Sequence, residues 1–459
     1  MARSNTREDR STPKEVYNWR LYSEAAIIAT GSVLYGYDSA FIGTTISRQS
    51  FKAAFNIGPD DAADISSNIT STFQAGAFFG AILCFLLTEK CGRKWALQAN
   101  VVVFLVGAIL TVAATHQLSF IYAGRALTGV ACGAITATVP SYIAELSIDS
   151  IRGILTGMFE VAYQVGTLVG FWINYGINQS MDLSSTASWK IPMGVQLIPA
   201  SVLFLGGFAL HESPLWLMRK GREEDAAQAL ECIRKLPPTH AYVQEELEMA
   251  RNRLVEESKI ARNYGHGAWA LFRGTLFELS RPGMRNRVLL VFCAFTLQNM
   301  SGAAAINYYS PTLFSSIGIS DVALYTGIYG LVKGAYVKVG HPADIIASGK
   351  QLSPSTAAGG RAATVMIMIY SVLLTQFAIT KALPYIFQSF GYGTWFFFAS
   401  WMMLASTWAF FFLPETKGRT IYEMDVIFGY VGNPSSEDHE IAVFQDGKEG
   451  SVSHCEERV

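Results

Sequence analysis

Residues 124–166, GRALTGVACGAITATVPSYIAELSIDSIRGILTGMFEVAYQVG, place charges where a chain can least tolerate them. Two apolar runs are joined by a short polar link at 144–152. Arg125 lies inside the first run and Glu160 inside the second. Runs of about 20 apolar residues have the length that a bilayer's hydrocarbon core requires of a helix. A charge at that depth costs about 3 kcal/mol on insertion scales, unless it faces a partner or a wet cavity. Arg125 therefore needs an acid. The best-placed one is Asp38, in a Gly36-Tyr37-Asp38 interruption of the first apolar run. Gly129 and Gly133 stand four apart, the spacing that lets helix backbones approach closely, and packing is enough to account for them.

Similar runs recur along the chain. Apolar residues make up 51% and charged ones 15%, too apolar for a soluble chain of 459 residues. The expectation is an all-α polytopic membrane protein. A net charge of −1 gives no reason to expect nucleic acid as a partner. Six cysteines are scattered without a CxxC pair, so neither a disulfide framework nor a zinc site is expected, and no cofactor. No Ser/His/Asp, metal or phosphate-loop constellation stands in the polar segments, which argues against an enzyme.

Residues 1–22 form a polar arm of mixed charge, unlike a cleavable signal peptide. Spans are expected at 23–47, 66–88, 95–114, across the two runs around Arg125 and Glu160, and at 190–210. Lys and Arg crowd the arm, the tight turn 89–94 and the segment after His211, whereas the loops near His116 and Asp182 are nearly bare. That bias places the N-terminus inside and returns the chain inside after six spans. Residues 212–285 are a charged linker, read as a solvated strap with surface helices at 223–235 and 242–259. A second apolar region, 286–413, opens with a span at 288–314 and ends with one at 393–413, before a polar tail at 414–459. Between them the pattern weakens. Residues 321–339 are short and glycine-rich, 341–360 are a polar loop, and 362–387 are one apolar run holding Lys381. Two topologies fit: twelve-span geometry with two re-entrant pieces and 341–360 outside, or ten spans with that loop inside.

Leu210-His211-Glu212-Ser213-Pro214 closes the sixth span, and Leu413-Pro414-Glu415-Thr416-Lys417-Gly418 closes the last. The echo implies two related halves, 23–211 and 286–413. The second is shorter by about 60 residues, roughly two to three spans with their turns.

Together these motifs resemble the sugar porter family of the major facilitator superfamily. The residues that carry the likeness are Gly36-Tyr37-Asp38, Gly92-Arg93-Lys94, Arg125 with Gly129 and Gly133, Pro140 through Glu145, Arg152-Gly153, Glu212-Ser213-Pro214, Gln298 through Tyr309, and Pro414 through Gly418. Within the family, residues 37–43, 170–176 and 301–309 look most like fungal quinate permeases. The resemblance implies a two-half helical bundle with an incomplete second half of about 10–12 membrane segments in all. It implies a proton-coupling pair in Asp38 and Arg125, and a gating cluster of Gly92, Arg93, Lys94, Glu145, Arg152, Glu212 and Glu415. It also implies solute contacts from Gln298, Asn299, Asn307 and Tyr308. Four departures stand out. Glu160 replaces a glutamine usual in sugar-specific members, with Gln164 one turn on. Ala304 replaces an asparagine. Two charged hairpins are missing, one between Lys333 and Gly334 and one around Leu374.

Polyols need several polar partners inside an apolar cavity, because each buried hydroxyl must be satisfied. The amides of Gln164, Asn174, Gln298, Asn299 and Asn307 both donate and accept, and the faces of Tyr163, Trp172 and Tyr308 can stack on ring C–H surfaces. The expected function is a proton-coupled symporter of quinate or a related sugar-like solute. It would be a multi-pass monomer in the plasma membrane with both termini inside, its partners the solute, the proton and the bilayer. Three further readings stand beside it: a neutral hexose carrier, a degenerate carrier that has lost transport with its hairpins, and a non-transporting sensor.

Overall fold

The computed structural model describes residues 12–148, 151–264, 284–302, 308–309, 322–339 and 393–412, with short pieces at 378–379, 381–383, 385–386 and 389–390. Among them every regular element is helical. The first region builds α1 (Trp19–Ser47), α2 (Gln49–Ala54), α3 (Ala62–Cys91), α4 (Arg93–Ala113), α5 (Leu118–Leu146), α6 (Arg152–Ser180), α7 (Ala187–Val195) and α8 (Leu197–Gly207). Among the described residues, six segments are long and apolar enough to cross a membrane: Lys14–Ser47, Ala62–Cys91, Arg93–Ala113, Leu118–Leu146, Arg152–Ser180 and Ala187–Gly207. The last comprises α7 and α8, which meet at Gln196, with Pro192 inside α7. Their outer faces carry exposed Phe79, Leu83, Val102, Val106, Val165 and Val202. A belt of that kind is what lipid covers in a spanning bundle.

Close backbone approach sets the packing. α3 lies on α5 and α1 on α6, with α4 against α5. A Cβ on Gly133 would overlap the carbonyl of Ala77, and one on Gly129 that of Phe73. The two glycines are thus the contact surface between α3 and α5, as their spacing suggested.

α9 (Pro214–Arg219), α10 (Glu223–Arg234) and α11 (Ala241–Tyr264) follow. Here the strap reading needs correction. Ala226, Leu230 and Ile233 of α10 and Val243 of α11 are buried in the same core as Leu21, Leu146 and Ile148. Arg234, 1% exposed, donates to Leu146 O at 2.8 Å and pairs with Glu246 at 2.6 Å. Asn18, the N-cap of α1, also donates to Ile233 O at 2.7 Å. Charge on the outer faces of α10 and α11 masks an apolar stripe on the inner one.

In the second region α12 (Met284–Met300) packs on α14 (Gly393–Phe412), and α13 (Val322–Val339) packs on α6. The expected gap between Lys333 and Gly334 falls within α13, whereas the loop 341–360, the expected gap around Leu374 and the tail from 414 lie outside the described residues, as does residue 304.

Candidate functional site

Mid-way along α1 the motif Gly36-Tyr37-Asp38-Ser39 faces three other helices. Gly36 lets α6 approach, since a Cβ there would overlap the carbonyl of Tyr163. Asp38 is fully buried and Arg125 of α5 is 2% exposed. Arg125 Nη1 donates to Asp38 Oδ1 at 2.6 Å and to Oδ2 at 2.8 Å. The guanidinium carbon also lies 4.3 Å from the centroid of the Phe73 ring on α3. A buried pair of this kind resists loss of either member, because the survivor keeps its desolvation cost without its counter-charge, roughly 3–5 kcal/mol. Gain or loss of one proton at the carboxylate therefore changes how α1 and α5 are held together.

Aromatic hydroxyls surround the pair. The ring of Tyr163 stands 5.2 Å from that of Tyr35, and its hydroxyl is 3.2 Å from Ser39 Oγ. Tyr308 is fully buried and accepts from Gln74 Nε2 at 2.6 Å, while Tyr309 meets Thr70 Oγ1 at 2.9 Å. Residues of the second region thus hydrogen-bond to α3, whose Phe73 covers Arg125. Directly after Tyr163, Gln164 Nε2 donates to Glu160 Oε1 one turn back at 2.6 Å, with Gln164 buried and Glu160 exposed. The glutamine and its departure from the family pattern are one hydrogen-bonded unit. Asn299 is buried and Gln298 exposed, at the end of α12. Asn307 lies outside the described residues.

Asn174 is taken up by packing. Its amide donates to Phe41 O and Gly170 O, and its Oδ1 accepts from Arg48 Nη2 at 3.0 Å. Arg48 is a residue that sequence reasoning missed. It is buried at the end of α1 among neutral acceptors on Asn174, Asn178 and Ser188. Burial pulls its pKa down to about 10.

A second cluster forms where α3 turns into α4. Gly92 has φ +96°, a conformation that glycine adopts without strain. Glu212 Oε1 accepts from the amides of Arg93 at 2.7 Å, Lys94 at 3.2 Å and Ser213 at 3.0 Å. Burial pushes its carboxyl up, against the lowering effect of those three N–H groups and of the Arg93 charge. Arg93 pairs with Glu145 at 3.0 Å and with Glu89 at 3.5 Å, and Arg219 reaches Glu89 at 2.8 Å. Arg152 Nε donates to Ala144 O, next to Glu145. Six of the seven residues expected to form this cluster converge. The seventh, Glu415, lies outside the described residues. Glu89 and Arg219 were missed, although Glu89 stands in the charged turn itself.

The described residues hold no group of three or more His, Cys, Asp or Glu side chains that could bind a metal ion.

A family model described as sugar (and other) transporter matches residues 25–342 and 352–428. A quinate permease of Neurospora africana is 37% identical over 500 residues, covering 92% of this chain and 91% of the relative. A probable quinate permease of Aspergillus clavatus is 36% identical over 498, covering 92% and 90%. Both alignments run over more positions than the 459 residues of this chain, so these relatives carry segments that it lacks. Among solved structures, the major facilitator proton:xylose symporter XylE bound to 6-bromo-6-deoxy-D-glucose superposes with a TM-score of 0.70 at 20% identity, covering 89% of this chain and 99% of that one. The xylose transporter XylE from E. coli in a partially occluded inward-open conformation gives 0.66 at 18%, covering 88% and 100%. At such identities the likeness shows the fold, which is that of the major facilitator superfamily.

Proposed function

This chain belongs to the sugar (and other) transporter family, and we propose that it is built as a proton-coupled symporter of quinate or a closely related polyhydroxylated acid. The observation that carries the reading is the Asp38–Arg125 pair, fully buried at mid-span and held by one guanidinium nitrogen. A carboxylate is kept there only for a use that outweighs its cost, and a proton relay is such a use. Deprotonated, Asp38 holds Arg125; protonated, it releases it, and the helix pair is biased between two arrangements. Entry of one proton per cycle is driven by the membrane potential, at about 2.3 kcal/mol per 100 mV.

Glu160, Gln164, Gln298, Asn299, Asn307 and Tyr308 are the proposed solute contacts. The acid as solute is supported by the quinate permeases among the relatives and by Glu160 in place of a neutral amide. The cluster of Gly92, Arg93, Lys94, Glu145, Arg152 and Glu212, with Glu415, is the proposed inner gate. The carrier would act as a monomer in the plasma membrane with both termini inside, its two halves at 23–211 and 286–413 joined by the docked linker.

A second reading is favoured by the alignment length. A chain that lacks segments present in its relatives can keep the site and still fail to complete a cycle. The test has two arms in a transporter-deficient cell. The chain as it stands should take up little or no quinate. With the two hairpins restored from a full-length relative, it should accumulate quinate uphill and alkalinise the medium. Uphill uptake by the unrestored chain would overturn the second reading. Uptake by the restored chain that is purely downhill would overturn proton coupling.

A further inference from the structure

The Asp38–Arg125 pair uses only part of the guanidinium. Arg125 Nε and Nη2 are buried and have no hydrogen-bond partner among the described residues. Gln74 of α3 has the complementary shortfall. It is fully buried, its Nε2 donates to the Tyr308 hydroxyl at 2.6 Å, and its Oε1 has no partner among the described residues. Two unpaired donors and one unpaired acceptor in a single seam are costly, about 1–3 kcal/mol each and more for the charged group. The α3–α5 backbone contacts bring them to the same level. Gly129 of α5 meets Phe73 O, Gly76 of α3 meets Ala126 O, and the Phe73 ring covers the guanidinium. Gln74 lies between Phe73 and Gly76, and Arg125 directly precedes Ala126.

We propose that Gln74 is a positioning residue, the second acceptor of Arg125, which takes the guanidinium on its Oε1 when Asp38 is neutral and passes the change through its Nε2 to Tyr308. The inference rests on the reading of Asp38 as the proton carrier. The proton added goes to a carboxylate oxygen of Asp38, and the ion pair becomes a neutral acid beside a guanidinium held by a neutral amide. No other bond is made or broken. Among the described residues the titratable groups close to the pair are Tyr37 from α1, Cys132 from α5 and Tyr308, with Tyr35 and Tyr163 next to Tyr308. None of them offers Arg125 a second charge at neutral pH, so a neutral acceptor must serve. Tyr308 belongs to the second region, and its backbone carbonyl is pressed against Gly43 of α1. A shift of the Gln74 amide therefore reaches the other half of the bundle directly. It is a route from the proton to the α12 side that does not pass through the solute.

The test is a thermal-stability cycle on the full purified chain, with Asp38→Asn as the neutral-acid mimic and Gln74→Leu as the removed acceptor. Gln74→Leu alone loses one bond to Tyr308, and Asp38→Asn alone leaves Arg125 on Gln74. Together they leave the buried charge with neither. The expected double variant melts more than about 3 °C below the sum of the two single shifts. In addition, Gln74→Glu introduced into Asp38→Asn should raise the melting temperature, because the carboxylate is returned to Arg125 from the α3 side. If the double variant does not purify, the Gln74→Glu/Asp38→Asn chain decides alone. Additive shifts, or no rescue by glutamate, would overturn the proposal. Neither result touches the assignment of the proton to Asp38, which is read separately from proton uptake.

Discussion

The Glu212 carboxylate occupies the space beside Gly92 that a side chain would need. A Cβ built on Gly92 would overlap Glu212 Oε2, while Oε1 collects the amides of Arg93, Lys94 and Ser213. The turn between α3 and α4 is thus closed by a carboxylate from 120 residues further along the chain. Gly92→Ala meets two obstacles, the φ of +96° and the carboxylate. A backbone at φ +96° and ψ 171°, a region almost confined to glycine, alone costs roughly 1–3 kcal/mol for a residue with a Cβ. Displacing Glu212 strips three amides of their acceptor, so the variant is expected to lose more than that backbone cost. A melting curve of purified Gly92→Ala checks this; an unchanged midpoint would show that the turn relaxes freely.

Arg48 should behave as a structural pin at the end of α1. Its guanidinium ties α1 to Asn174 and Asn178 on α6 and to Ser188 on α7. Arg48→Met keeps the stem but removes every donor, and hydrogen bonds to a charged group are worth about 1.5–3 kcal/mol each before desolvation is recovered. A fall in stability of about 2 kcal/mol is expected in denaturant melts, with Asn174→Ala and Arg48→Met less than additive because they share one bond.

The docked linker makes a contrast of two arginines. Arg234→Ala leaves Glu246 without its partner and frees the Leu146 carbonyl at the end of α5. A loss of about 3 kcal/mol is expected, together with faster proteolysis between α10 and α11. Arg251 pairs with Glu223 across the two linker helices but stands in solvent, so Arg251→Ala should leave both readouts unchanged. Equal effects of the two substitutions would contradict the docking.

What could be read from the sequence followed from cost. Asp38 and Arg125 declared themselves because charges inside apolar runs are rarely left unpaired, and the distance of 2.6 Å bears out the pairing. The glycines of α5 were legible from their spacing. Gln74 was not singled out, although Ser67, Thr70, Ser71 and Gln74 form a polar stripe at helical spacing on α3. An amide carries too little cost to stand out until its neighbours are known. Arg48 reads as an ordinary span-end arginine, and only the positions of α6 and α7 bury it. The linker was misjudged because its charges are conspicuous and its stripe of Ala226, Leu230 and Ile233 is not.

Glu160 and Gln164 share one hydrogen bond, so the pair should tune which solute is preferred. Glu160→Gln keeps the shape and exchanges a carboxylate for an amide that both donates and accepts. The ratio of stabilisation by quinate to stabilisation by neutral hexoses should fall in thermal-shift titrations of the variant. An unchanged ratio would make Glu160 a packing charge on α6.

Proton coupling is tested most directly by counting protons on binding, which requires no complete transport cycle. Quinate is added to the purified chain in lipid nanodiscs, in weakly buffered solution with a pH indicator, beside the Asp38→Asn variant. Solute binding that favours protonated Asp38 must take up protons from the medium, by linkage. The expected result is alkalinisation approaching one proton per bound quinate for the native chain when the starting pH leaves Asp38 ionised, and none for Asp38→Asn. Quinate binding without a pH change at any starting pH, or the same change with Asp38→Asn, would contradict the account.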